Sequence, residues 1–449
     1  MWKWVLYVLY GRSTVSKAKR LTTEGGVIII ALVVLLQVRV IPFHSQLLIG
    51  LLGLLVVSFI LSRFFRPHLQ ITRNLSQFGT VGVPLEYRII LKNPSSKPQN
   101  GLYLVENIDG GRLTFKEFAR TPSPEEQAGG VIALFSRLGL RRRRQWLSLM
   151  KQGAYIQEYP VPSLPPQGEV EIRAEMLPIR RGEIMLTGLT FARPDPFHLF
   201  RALHRVPLYH SVLILPKRYA IPPIRLPGTR KFKLGGMALA SSVGDSQEFM
   251  SLREYRPGDP LRRIHWRSWA KTGKPVVKEF HDEYFVRHAL VLDTFHAAAY
   301  GDLFEEAVSV AASLASNIRT QDSLLDLMFV GPEAYCFTVG RGLGQTEQML
   351  KVLASVTPCQ DKDFSTLPPL VFEHASLLSG AICILLAWDD ERQRFIQGLR
   401  RLGVPVLALV VTDGVGKQPL APGPMSDKPG HFHVLEVGNI QEGLTKITM

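Results

Sequence analysis

Cys336, Cys359 and Cys383 are the only cysteines in 449 residues. None stands in a CxxC pair, which excludes a disulfide framework and a cysteine-based zinc site and fits free, mostly buried thiols in a reducing compartment. His281, His288, His296, His431 and His433 contain no HxxxH pair, so a helix-borne zinc site has no carrier either. There is no Walker A sequence, no GxSxG elbow, and no GxGxxG following a strand. Gly340-Arg341-Gly342-Leu343-Gly344 opens a helical pattern, but without the lysine and hydroxyl residue of a phosphate loop it reads as an ordinary loop. No recognisable catalytic motif and no cofactor are implied. Acidic residues are also scarce: 38 Asp and Glu face 53 Lys and Arg, a net charge of +15 that points to an anionic partner.

The chain is too long for one ordinary core and is expected to hold two or three domains beyond any membrane segment. Residues 1–20 carry a short apolar stretch followed by Lys17, Lys19 and Arg20 in place of a small-residue cleavage site, so no signal peptide is read there. Residues 21–66 hold two apolar runs, Gly25 to Leu36 and Leu47 to Leu61, each able to reach a spanning length by borrowing its flanks. Basic residues gather outside the pair, at Lys17, Lys19, Arg20, Arg63, Arg66 and Arg73. The expectation is a transmembrane helical hairpin in the bacterial inner membrane, multi-pass, with both ends and the bulk of the chain cytoplasmic.

From 67 to 217 the hydrophobic period is two: Leu85, Tyr87, Ile89 and Leu91 oppose Glu86, Arg88 and Lys92. An Ig-like β-sandwich is expected. A basic insertion near 125–150 interrupts it, with Val131, Ile132, Leu134, Phe135 and Leu138 on one helical face before Arg141, Arg142, Arg143 and Arg144. The two readings are an in-plane helix touching membrane lipids and a solvated basic loop. No aromatic interleaving accompanies the arginines, which argues against nucleic acid. Residues 218–243 read as a linker. From 288 to 449 strands alternate with helices, as in a doubly wound, mostly parallel α/β domain.

Between them, residues 244–287 hold the densest polar and aromatic patterning. Arg256-Pro257-Gly258-Asp259-Pro260 reads as a turn, Asp259 as a helix N-cap, and the helix is expected to run to Lys271 and stop at Gly273. Glu248, Leu252-Arg253, Tyr255, Gly258-Asp259, Arg262, Ile264-His265-Trp266 and Val277-Lys278 resemble the signature of the bacterial domain-of-unknown-function family fifty-eight. Arg180-Arg181-Gly182 and Asp195-Pro196-Phe197-His198-Leu199-Phe200 resemble two further family motifs, read as turn and packing elements; the family usually has glycine where His198 stands.

The resemblance implies paired membrane helices, a β-rich segment and a von Willebrand A-like domain accompanying a MoxR-type AAA+ ATPase. It also supplies a metal-site motif, Asp-x-Ser-x-Ser, of which this chain keeps Asp293 but has Phe295 and Ala297 at the serine positions. With Asp389 as the other acidic remnant, the site is expected to be degenerate and metal-free. The leading expectation is a non-enzymatic, membrane-anchored assembly factor that handles client proteins with the ATPase. The alternatives are a hydrolase built on Glu248, Asp259 and His265, and anionic lipid or nucleic-acid binding through the basic surface. Otherwise Glu248, Arg253, Asp259 and Arg262 would form an ion-pair network, with His265 a structural imidazole held by a carboxylate or carbonyl.

Overall fold

The computed structural model describes residues 22, 24–29, 32, 44–109, 152–222, 232–233, 249–257, 261, 264–280, 284–296, 301–317, 323–340, 343–414 and 420–447. Two compact units emerge: unit 1 is Met1–Lys217 with Ala298–Tyr300 and Leu350–Val356, and unit 2 is Arg218–Ala297, Gly301–Met349 and Thr357–Met449. Arg141 to Arg144, and all but a few residues of the first expected span, lie outside the described residues.

Helix α1 (His44–Leu61) is 18 residues long, but it opens on His44, Ser45 and Gln46. Its apolar part, Leu47 to Leu61, rises roughly 22 Å, against a hydrocarbon core of about 30 Å. After Leu61 the chain turns, and the Ser62 hydroxyl donates to the Phe59 carbonyl at 2.7 Å, so the flank that was to complete a span is not helical. Among the described residues no helix is long and apolar enough to cross a membrane. This overturns the transmembrane hairpin and, with it, the multi-pass inner-membrane location.

Unit 1 is built on two facing sheets. One orders β1 (Gln70–Asn74), β3 (Leu85–Lys92), β7 (Glu169–Pro178) and β5 (Ala154–Ile156); the other orders β2 (Phe78–Thr80), β9 (Arg201–Leu215), β8 (Gly182–Pro194), β4 (Leu102–Ile108) and β6 (Tyr159–Val161). The alternating residues Tyr87, Ile89 and Leu91 of the first sheet share a core with Leu104, Leu186, Phe191 and Ile214 of the second. At a bulge in β8, Gly188 has φ +147°, and a Cβ there would fall 2.3 Å from the Val206 carbonyl oxygen, so only glycine fits. Arg181, buried, donates to the carbonyls of Leu353 at 3.1 Å and Val356 at 2.5 Å within the same unit.

Arg73, counted above among the residues flanking the spans, is instead a cross-sheet tie. Its Nη2 and Nε meet Glu106 Oε2 at 2.7 Å and Oε1 at 3.2 Å, both side chains being fully buried. Nη1 adds the Leu208 carbonyl at 3.3 Å and His210 Nδ1 at 3.2 Å. Burial pushes the Glu106 carboxyl up to about 7 despite the opposing pull of Arg73.

In the loop after β8, Asp195 accepts the backbone N–H groups of Leu199 and Phe200, each at 3.1 Å, and His198 closes a turn back onto the Asp195 carbonyl at 3.0 Å. His198 sits there at φ +57°. The left-handed region costs a residue with a Cβ about 1–2 kcal/mol, partly offset by the extra chain entropy a glycine loses, about 0.5–1 kcal/mol. His198→Gly should therefore leave stability unchanged or raise it by up to about 1 kcal/mol. Urea unfolding of the full-length chain tests this, and a loss of stability would count against the strain.

Unit 2 contains a mixed sheet ordered β15 (Ala334–Val339), β14 (Ser323–Val330), β13 (Tyr284–Leu292), β16 (Gly380–Leu385), β17 (Val406–Thr412) and β18 (Phe432–Glu436), with β10 (Phe232–Lys233) pairing on β13. From β14 to β18 the pairing is parallel, and β15 and β10 are antiparallel additions. The strands read as continuous apolar runs because they are covered on both sides; every residue of β16 is buried. Helix α3 (Asp302–Asn317) packs on β13, β16 and β17. Ala381, Cys383 and Leu385 face a core shared with α5 (Leu367–His374) and α6 (Asp390–Arg401). The start of the expected linker is strapped down: the Tyr219 N–H donates to Ser313 Oγ at 2.7 Å, and Gln441 Nε2 donates to the Ala220 carbonyl at 2.6 Å. Cys383 is buried, but Cys336 is exposed, contrary to the expectation of mostly buried thiols.

Candidate functional site

The chain leaves β13 for β14 on one side and later returns to β16 on the other. In parallel sheets that reversal opens a crevice at the carboxyl ends of the two strands, the usual ligand position. Asp293, directly after β13, is fully buried there, and Asp389 caps α6 just past β16. Arg392 fills the space between them. Its Nε meets Asp293 Oδ2 at 2.6 Å, its Nη1 meets Asp389 Oδ2 at 2.5 Å, and its guanidinium lies 4.5 Å over the Phe364 ring. Asp293 also accepts from the backbone N–H groups of Phe295 at 3.0 Å and Leu386 at 3.1 Å, while Asp389 Oδ1 accepts from the Arg392 N–H at 3.0 Å. Burial opposes the Arg392 charge, but Asp293 and then Asp389 raise its pKa above the ordinary value.

Both acidic remnants singled out in the sequence are thus committed to one internal cation. Phe295, in place of the first serine, packs edge-on against Phe364 at 5.7 Å, and the buried Thr294 hydroxyl donates to the Val330 carbonyl. Phe364 and Phe395 also line an open groove of about 320 Å³ with Pro368, Phe372, Glu391 and Arg394.

The second locus is the signature segment. β11 (Phe249–Glu254) and β12 (Val276–Phe280) form a two-stranded antiparallel sheet of their own, with a bulge between Phe249 and Ser251. The expected helix from Asp259 is corrected: α2 runs only Trp266–Thr272, because Ile264 bridges to Val277 and the His265 N–H donates to the Val276 carbonyl at 2.8 Å. The pairing to β12 holds these residues extended, and the helix starts only after them. Gly273 ends it at φ +73°.

Ile264 and Val277 are buried, whereas Trp266 is exposed and Trp269 half-buried. Trp266 is 64% exposed and stacks on Trp269, the rings 5.3 Å apart and 20° from coplanar; Leu261 and Leu252 are 67% and 41% exposed. Arg256, Arg267, Lys271 and Lys274 are all exposed on the same small hairpin. His265 Nδ1 lies 2.7 Å from Ser268 Oγ, so the expected carboxylate or carbonyl partner is instead a hydroxyl one helical turn away. An imidazole beside a hydroxyl is part of a hydrolase dyad, but no carboxylate to orient the ring is among its described hydrogen bonds. The Tyr255 N–H donates to the Pro275 carbonyl at 2.9 Å, and Arg253 Nη1 to the Glu254 carbonyl at 3.2 Å. Glu248, Gly258, Asp259 and Arg262 lie outside the described residues, and with them most of the expected ion-pair network.

Residues 251–366 match the family model described as protein of unknown function DUF58. This stretch belongs to the DUF58 family. The matched stretch begins in β11, takes in α2 and β12, and runs through β13 to Thr366, two residues past Phe364, the ring beneath the Arg392 guanidinium. The chain is similar to the uncharacterized protein YeaD of Bacillus subtilis, 30% identical over 113 residues. That similarity covers 25% of this chain and spans about a quarter, 27%, of the relative. Among solved structures, the CARDB domain of PF1109 from Pyrococcus furiosus aligns at 14% identity, over 34% of this chain and 92% of that one, with a TM-score of 0.18. A GH20 exo-β-N-acetylglucosaminidase from Vibrio harveyi aligns at 10% identity over 77% and 57%, with a TM-score of 0.14. Likenesses this slight carry no argument about the fold of this chain or its activity.

Arg392 is the member of the crevice that sequence reasoning missed. In Asp389-Asp390-Glu391-Arg392 it looks like one more charge on a solvated helix. The available signal was an N-cap aspartate after a buried strand, which places the residue three positions later over the strand ends.

Proposed function

We propose that this DUF58 chain is a protein-interaction factor, working with a MoxR-type AAA+ ATPase in assembly or maturation of other proteins, and that the signature hairpin is its contact surface. The observation that supports this reading is the exposed Trp266 stacked on Trp269. Tryptophan dominates binding hot spots, and an indole exposed this far leaves apolar surface that a partner can cover. The ATPase is named from the family resemblance alone.

Co-expression of the full-length chain with a MoxR-type ATPase from the same genome, followed by size-exclusion chromatography, tests it. Co-elution is expected, and Trp266→Ala should weaken the complex about thirtyfold or more, the effect of losing a hot-spot residue of 2 kcal/mol or above. No complex, or one indifferent to Trp266→Ala while the chain remains folded, would refute the proposal.

A further inference from the structure

We infer that the groove lined by Phe364, Phe372 and Phe395 binds a small aromatic zwitterion, a free aromatic amino acid in chemical class. Its ring rests among the phenyl groups, its carboxylate meets Arg394 and its ammonium meets Glu391. The inference is independent of the hairpin and of the ATPase.

The groove is in the right place. Phe364 lines it and also carries the Arg392 guanidinium, which joins Asp293 after β13 to Asp389 after β16. It therefore adjoins the reversal point of the parallel sheet, where such sheets bind ligands. At about 320 Å³ it stands at the lower end of the range for small-molecule sites, about 300–1,000 Å³.

The lining sets the body of the ligand. Buried Phe364 and Phe395 meet edge to face with centroids 5.7 Å apart, and the half-buried Phe372 lies 5.8 Å from Phe395. Phe372 rests close on Gly398 of α6, where a Cβ would fall 2.7 Å from its Cζ. Pro368 and Pro369 extend the wall. None of these side chains can hydrogen-bond, so the inserted part of the ligand is apolar, and a fourth ring suits the edge-to-face cluster.

The rim sets the charges. Glu391 and Arg394 are exposed and stand three positions apart on α6, on the same side of the helix as Phe395. Opposite charges at that spacing ordinarily pair. Among the described residues these two do not: Arg394 places its Nε on the Asp390 carbonyl at 3.1 Å, and Glu391 has no ion-pair partner. Two neighbouring charges of opposite sign above an apolar groove match a ligand with an ammonium and a carboxylate on one carbon. A peptide segment matches less well, because its amide bonds remove both charges.

A saturation-transfer NMR titration of the purified full-length chain tests this with phenylalanine, phenylpropionate, phenylethylamine and glycine. Phenylalanine should bind saturably with about millimolar affinity or better, as a ligand of its size can. The other three each lack one matched group and should bind about fivefold or more weakly. Glu391→Gln and Arg394→Gln should each weaken phenylalanine by a similar factor, whereas Arg401→Gln, at an exposed position of α6 outside the groove, should not. The analogue series is read on the unaltered chain, so it decides the matter even where a variant fails to fold. Absence of saturable phenylalanine binding overturns the inference. So does equal binding of phenylpropionate, phenylethylamine or glycine, or an equal loss in Arg401→Gln.

Discussion

Arg392→Met should lower the stability of the full-length chain by about 3–5 kcal/mol, because it removes one partner of a buried pair and leaves the other uncompensated. Asp293 is fully buried, and Arg392 is 8% exposed in its side chain, so water cannot take over the role of the guanidinium. The two backbone N–H groups on Asp293 would still hold the carboxylate in place without neutralising it. Asp293→Asn combined with Arg392→Met should recover part of the loss, since an amide leaves no buried charge. Urea unfolding followed by circular dichroism measures both. A loss below about 0.5 kcal/mol for the single variant, the range of ordinary surface substitutions, would mean that Arg392 is a surface residue in solution.

The second large effect is on pH dependence and comes from Glu106. Its pKa is raised from the ordinary 4.5 to about 7 when folded, with burial the leading cause. The folded state therefore binds the proton more tightly than the unfolded one. The corresponding stability is fully present below about pH 4.5 and is lost as pH rises through 7. Between pH 5 and pH 8 unit 1 should lose up to about 3 kcal/mol from this group, and Glu106→Gln should flatten that part of the profile. Unfolding midpoints of the two proteins across the range provide the check. Parallel profiles for wild type and Glu106→Gln would show that Arg73 keeps the carboxylate ionised throughout.

Where burial repeats along the chain, the sequence could be read. The alternation from Leu85 to Lys92 is a strand with the same limits, and the apolar runs around Leu290, Leu327, Ile382 and Leu409 are the parallel strands of unit 2. Periodicity reports which residues leave water, and that is a local property. What failed depended on competition between local tendencies and distant partners. Hydropathy around Leu47 to Leu61 suggested a span because flanks were credited to a helix that ends at Leu61. The helix expected from Asp259 yields at Ile264 and His265 to pairing with Val276 and Val277, some twelve residues later. Arg73 looked like a flanking cation, and only the fold brings Glu106 to it from 33 positions away. Arg392 and Asp293 are 99 positions apart, and no spacing rule links them.

The most direct measurement of the central claim, that the signature hairpin is where a partner docks, is site-specific photo-crosslinking. A photoreactive amino acid is placed at position 266, and in a separate variant at Tyr209, which is 69% exposed on β9 of unit 1. Each full-length protein is irradiated with the co-expressed MoxR-type ATPase and the adducts are mapped by mass spectrometry. The account predicts an adduct from position 266, mapped to the ATPase, and none from position 209. An adduct from position 209 with none from position 266 would contradict it.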